Sequence, residues 1–257
     1  MNLAHLTVQV AVLAVCFWME TVAPLFMERP QRIQHWSRNL SLGLLNGFIL
    51  TFGFSAMVTW AAHWGSTHPL GLVHWFNLSP STERLIGFLT FDLWMYLWHR
   101  ANHGVDFLWR FHRVHHSDLG LDASSAYRFH VGEMVFSTLL RLGVIPFLGI
   151  GLDDLLAYEI CLAPVIIFHH SNIRMPERLD RWMRCLIVSP NMHRVHHSDI
   201  PAETNSNYAS IFSFWDRLWK TYRQREAATI RYGLKEFREP PWHTLPGMLR
   251  LPAAKVM

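Results

Sequence analysis

The stretch HRVHHSD occupies residues 112–118 and recurs unchanged at residues 193–199. Between the copies lies a long apolar region, residues 134–169, broken by Gly149, Gly151, Asp153 and Asp154. No other feature constrains the fold as strongly. A seven-residue identity containing three histidines is not a product of composition, even in a chain with 17 histidines among 257 residues. Nor is it a duplicated domain, because the residues flanking the two copies share nothing. The shared element is chemical, so the two copies are expected to meet. The apolar region is long enough to cross a membrane twice, or to dip in and return, and either path brings the copies to one side.

Composition supports a membrane setting. Hydrophobic residues make up 51 % of the chain and charged residues 16 %, with 12 Trp and 17 Phe. That is too apolar for an ordinary soluble enzyme of this length and too polar for a wholly embedded chain. Apolar stretches at 3–27, 41–63 and 85–98 join the 134–169 region. The first lacks a basic leader and contains Glu20, so it reads as a membrane helix and not as a cleaved signal. The expected fold is all-α: about four membrane helices capped by a cytoplasmic helical domain carrying a histidine-rich di-metal centre. Residues 1–84 would form N-terminal membrane helices, 85–223 the catalytic domain with its membrane hairpin at 134–169, and 224–257 a C-terminal cytoplasmic tail.

Arginine placement orients the chain. Arg29, Arg32 and Arg38 lie in the 28–40 loop, the 64–83 loop has no Lys or Arg, and Arg100, Arg110, Arg113 and Arg128 follow the third stretch. This puts 28–40, 99–133 and 171–257 on the cytoplasmic side, with both histidine motifs facing one compartment. The net charge of +4 is spread beside apolar segments and forms no dense patch, so no nucleic-acid partner is expected. Cys16, Cys161 and Cys185 are scattered, with no C-x-x-C pair, and read as packed core thiols.

The histidines form three clusters: His99 and His103; His112, His115 and His116; His193, His196 and His197. On a helix, positions i, i+3 and i+4 share a face, so each cluster is expected to point at one place. Eight imidazoles exceed the needs of one tetrahedral ion, and two adjacent metals are the natural count. His5, His35, His63, His68, His74 and His243 are isolated and read as surface or interface residues. A cationic patch for lipid phosphates would not require the repeated spacing, and haem takes fewer axial ligands. Glu133, Asp118 and Asp199 are candidates to orient imidazole N–H groups, with helix capping the alternative for the two aspartates.

The set of boxes H-x-x-x-H, H-x-x-H-H and a second H-x-x-H-H after a membrane hairpin resembles the fatty acid hydroxylase/sterol desaturase superfamily, in its bacterial form. FHHSNI at 168–173, SSAYRFHVGE at 124–133 and NSNYASIFSFWDRLWKTY at 205–222 extend the likeness over about residues 85–223. Val131 stands where many relatives have Pro, and Ile166 stands where some have a further histidine. The resemblance implies a multi-pass membrane protein, in the bacterial inner membrane, with two iron ions bound by histidine. It implies O2 as co-substrate and a fatty-acyl or sterol-like membrane lipid as substrate, with hydroxylation favoured over desaturation. A separate electron donor is expected, a ferredoxin or cytochrome with its reductase. The implied ligands are the eight box histidines and His170, with His130 either a ligand or a supporting residue. Zinc can replace iron in purified protein. A zinc-dependent membrane hydrolase and a haem-binding electron carrier remain as alternatives.

Overall fold

The computed structural model describes residues 3–27, 31–76 and 78–255. Glu28, Arg29 and Pro30 lie outside them, and with them the Arg29 part of the charge pattern. Among the described residues the regular structure is helical, with isolated bridges and no strands. The principal helices are α1 (Leu3–Val22), α2 (Arg32–Thr67), α3 (Pro80–Gly104), α4 (Asp106–His116), α5 (Val131–Leu148), α6 (Leu152–His170), α7 (Glu177–Met183) and α8 (Pro190–His196).

Local sequence explains the boundaries. Ser79 caps α3 by accepting from Thr82 N, with Pro80 at the first helical position. Ser189 and Pro190 repeat that device at α8. Gly149 ends α5 at φ 81°, a conformation that costs glycine nothing. Gly71 is needed for a different reason: a Cβ there would lie 2.5 Å from Gly149 Cα, so the two loops touch through bare backbone.

Three segments are long and apolar enough to cross a membrane: Leu3–Val22, Arg32–Phe76 and Val131–Leu148. Their outward faces carry exposed Trp18, Leu44, Phe48, Phe52 and Phe147, a cover suited to lipid. The chain is a membrane protein. The expected 85–98 segment lies inside α3, which continues unbroken through His99 and His103. α3 and α6 carry more charged residues than the three spans and hold polar groups paired inside the bundle. Tyr158 donates to Asp92 Oδ1 at 2.8 Å, and Arg141 of α5 pairs with Glu159 at 2.8 Å. Such pairing satisfies charges that a hydrocarbon medium would otherwise expel.

α5 and α6 form a helix–turn–helix between the two motifs, of which α5 is among the segments long and apolar enough to cross a membrane. Its turn meets the far end of α2, where Gly65 approaches Pro146 and His74 bonds Gly65 O. The opposite ends converge: Pro24 bridges Ile173, and Glu20 accepts from Ala123 N and Asn172 N. Segments 31–40 and 99–133 and the part of 171–255 that carries the second histidine motif therefore lie at one end of the bundle. α2 is roughly 54 Å long against a hydrocarbon core of about 30 Å, so its first turns project beyond the membrane. There Leu42 packs with Val114, Met248 and Leu251, each fully buried. Arg113 clamps the chain end by donating to Leu251 O and Ala254 O.

Candidate metal centre

Nine histidines converge at this end, in two groups. The first contains His99, His103, His112, His116 and His196; the second contains His115, His170, His193 and His197. Within each group the ligating nitrogens lie within 4.8 Å of one another. Each H-x-x-H-H copy is split between the groups. On α4 the i, i+4 pair His112 and His116 serves the first, while His115, about 100° from His116 around the helix, reaches the second. On α8 the assignment is reversed: His193 and His197 serve the second group and His196 crosses to the first. This exchange corrects the expectation that each cluster points at one place. It also explains the repeat, since two copies of one motif complete two sites by trading one imidazole.

The nitrogen positions suit metal ions. In the first group, the Nε2 of His99 lies 3.1 Å from that of His112 and 3.0 Å from that of His196, and His116 lies 3.2 Å from His112. In the second, His170 is 3.1 Å from His115 and 3.0 Å from His193, and His197 is 3.1 Å from His193. Nitrogens bound at about 2.1 Å to one ion sit roughly 3.0–3.4 Å apart. Hydrogen bonding cannot account for the first set. His99 Nδ1 donates to Tyr208 O at 2.8 Å and His196 Nδ1 to Ser206 O at 2.6 Å. In a neutral ring each Nε2 is then a bare lone pair. Two lone pairs facing each other at 3.0 Å repel unless a cation lies between them. A proton is a poor candidate, because burial and then the neighbouring imidazoles push His196 well below the usual histidine range. His115, His116, His193 and His197 are pushed the same way by burial first. The buried His103 Nε2 also has no protein partner. A nitrogen-only donor set, seven of its nine rings buried, fits two transition-metal ions.

Further groups hold the rings in place. Glu133 Oε1 accepts from His112 Nδ1 at 2.8 Å, Asn205 Oδ1 from His103 at 3.1 Å, and Ile166 O from His170 at 2.7 Å. Phe129 stacks on His115 with centroids 4.3 Å apart. Glu133 thus takes the orienting role foreseen for it. The two aspartates do not. Asp118 accepts from His35 at 2.7 Å and from Ser125 at 2.7 Å, and Asp199 faces Arg231 at 3.7 Å. Burial would raise the Asp118 carboxyl, but His35, Arg128 and these hydrogen bonds hold it well below the usual range.

His130 is not brought to the centre. Its Nδ1 accepts from Gly132 N and its Nε2 meets Leu249 O, so it caps α5. His169 lies against His193, tilted by 31° with ring centroids 3.9 Å apart, but belongs to neither group. His35, read as a surface or interface residue, ties α2 to Asp118 and Asp122. Arg128 is buried and donates to Val114 O, Asn39 Oδ1 and Ser117 Oγ. Sequence reading missed both roles, as it missed the carbonyls of Ile166, Ser206 and Tyr208, which any residue type supplies. Cys16 is buried, whereas Cys161 and Cys185 are exposed and are not core thiols.

Comparison with known proteins agrees with this geometry. The fatty acid hydroxylase family profile matches residues 84–221. The chain is similar to ornithine lipid hydroxylase of Rhizobium tropici, 33 % identical over 141 residues, covering 54 % of this chain and 41 % of the relative. It is similar to alkylglycerol monooxygenase of Danio rerio, 28 % identical over 154 residues, covering 58 % and 32 %. It is also similar to human cholesterol 25-hydroxylase, 26 % identical over 174 residues, covering 60 % and 61 %. The chain thus spans less than two thirds of the length of each of these relatives. No solved structure matches it. With more than half of the chain matched, and both histidine motifs inside the match, the chain belongs to the fatty acid hydroxylase family, a family of oxidoreductases.

Proposed function

We propose that the protein is a di-iron, O2-dependent hydroxylase of a membrane lipid. The observation that carries this reading is the pair of imidazole-only groups, with facing lone pairs, at the end of a membrane bundle. His99, His103, His112, His116 and His196 would hold one iron, and His115, His170, His193 and His197 the other. Iron supplies the redox chemistry that zinc lacks, allowing one oxygen atom to enter an unactivated C–H bond. The reaction balances as R–H, O2, two electrons and two protons giving R–OH and water. The electrons come from a separate donor, a ferredoxin or a cytochrome with its reductase.

The chain's own residues do the positioning. Glu133, Asn205 and the carbonyls of Ile166, Ser206 and Tyr208 fix ring tautomers so that each Nε2 points inward. Phe129 and Tyr208 wall the rings from water. His99 and His103 are the half-buried members of the set, so substrate approaches from their side. Exposed Leu97, Val105 and Phe107 give that approach an apolar character matched to a lipid chain. The relatives named for lipid hydroxylation or oxygenation support this substrate class. The arginine pattern supports a centre on the cytoplasmic side, in a bacterial inner membrane.

Elemental analysis combined with O2 uptake tests the proposal. Protein loaded with iron and supplied with a chemical reductant and membrane lipid should consume O2, whereas zinc-loaded protein should not. Lipid cleavage by the zinc form without O2 would replace the reading with a hydrolase. A Soret band would replace it with a haem carrier.

A further inference from the structure

Beyond α6 the chain returns to membrane depth. Ile187 bridges Phe212, and Ile187, Ile211 and Phe212 pack into the core that contains Ala62, Phe91 and Tyr158. The Phe212 ring lies 6.1 Å from Phe88, and Phe212 N and Trp215 Nε1 donate to Asp92 Oδ2 at 3.2 and 2.8 Å. Depth can be read from α5. Arg141, well inside the Val131–Leu148 span, reaches Met95 Sδ at 3.1 Å. Asp92 and Phe88 lie farther still from the histidines, roughly 10 and 16 Å from His99 along α3. The strip formed by 187 and 211–215 is thus level with the middle of a membrane span.

The outer side of this strip is apolar and open. Leu179 is 51 % exposed, Trp182 72 %, Leu186 60 % and Leu218 64 %. Leu179 and Trp182 lie three residues apart on α7 and Leu186 follows in the turn after it, while Asp180 points inward, fully buried. Such a patch is costly in water. Exposed Arg174, Arg178, Arg181 and Arg217 lie around it. The acidic residues of the same segment are engaged, because Glu177 and Asp180 both pair with Arg184. The outward charge is therefore basic.

We propose that residues 174–186, together with Leu218, form an interfacial anchor that enters the leaflet on the metal-centre side and grips anionic headgroups through its arginines. Charge complementarity and continuity with the lipid-facing bundle select an anionic bilayer as the occupant. The anchor bears on the metal centre, since Asp180 Oδ1 accepts from Asn191 N at 3.1 Å and Asn191 lies in α8, which carries His193 and His196. It fixes the depth of the second histidine motif relative to the first.

The test uses full-length protein in nanodiscs and does not depend on the redox reading. A nitroxide is placed on Cys185 in a Cys16→Ser/Cys161→Ser background, and its collision rates with O2 and with a water-soluble nickel chelate are compared. Labels on Cys161 in α6 and on Ala228→Cys serve as lipid and water references. The Cys185 label should read as membrane-facing in phosphatidylglycerol discs, and shallower in phosphatidylcholine or after Arg178→Glu/Arg181→Glu. A Cys185 label as accessible to the nickel chelate as the Ala228→Cys label would overturn the anchor. Water exposure that disappears when a reductase or ferredoxin is added would overturn it in favour of a protein dock. A water-exposed label at Cys161 would instead overturn the membrane placement of the bundle.

Discussion

Glu133 sets the orientation of His112. Its carboxylate, 2.8 Å from His112 Nδ1, fixes the ring plane and leaves Nε2 facing the other imidazoles. Glu133→Gln should lower metal affinity by about 10–100-fold while leaving the fold intact, as read by competition with a chelator. Unchanged affinity would show that packing alone orients the ring. Arg128 acts on stability instead. Arg128→Ala would leave three buried acceptors, Val114 O, Asn39 Oδ1 and Ser117 Oγ, without this donor, and should cost about 3 kcal/mol in unfolding measurements. The meeting of the eight box histidines with His170 was legible from spacing and resemblance, because the repeated boxes share helical offsets. His130 was not separable from them by sequence, since its capping role depends on the local turn. The shared offset of Asp118 and Asp199 misled for a related reason: the partner of Asp118 comes from α2, remote in sequence.

At the scale of elements, α4 and α8 form a matched pair. Each begins a turn or two before its histidines, buries a valine (Val114 or Val195), and uses the motif arginine to bind carbonyls of another segment. Their burial sets a pH dependence. His115, His116, His193, His196 and His197 are all pushed below the ordinary histidine value by burial. Below about pH 6.5 the unfolded chain therefore binds more protons than the folded one, and stability falls with pH. Metal-free protein should lose thermal stability between about pH 7 and pH 5, and metal loading should raise stability across that range. A flat profile for the metal-free form would contradict the buried neutral sites. The hairpin offers a second handle: Gly71→Leu should destabilise by about 1–3 kcal/mol, because the backbone of Gly149 occupies the space. The hairpin and long helices were legible from apolar run length. α7 and the strip at 211–218 were not, because short interfacial segments lack a run long enough to stand out.

For the whole molecule, the account requires both motifs at one end of the bundle and on one side of the membrane. Ser117 and Ser198 are buried, so accessibility reporters belong on Leu119, 38 % exposed, and Ile200, 39 % exposed. Leu119→Cys and Ile200→Cys should react with an impermeant maleimide from the same side, the cytoplasmic one. The central claim, oxygen insertion into a membrane lipid, is tested most directly by lipid mass spectrometry of cells grown under isotopically heavy O2, comparing the wild-type protein with His196→Ala. His196 is chosen because it crosses from the second motif to the first group. The account predicts a lipid carrying one heavy oxygen atom in wild-type cells only. A lipid altered without label uptake, or a labelled lipid that persists with His196→Ala, would contradict it.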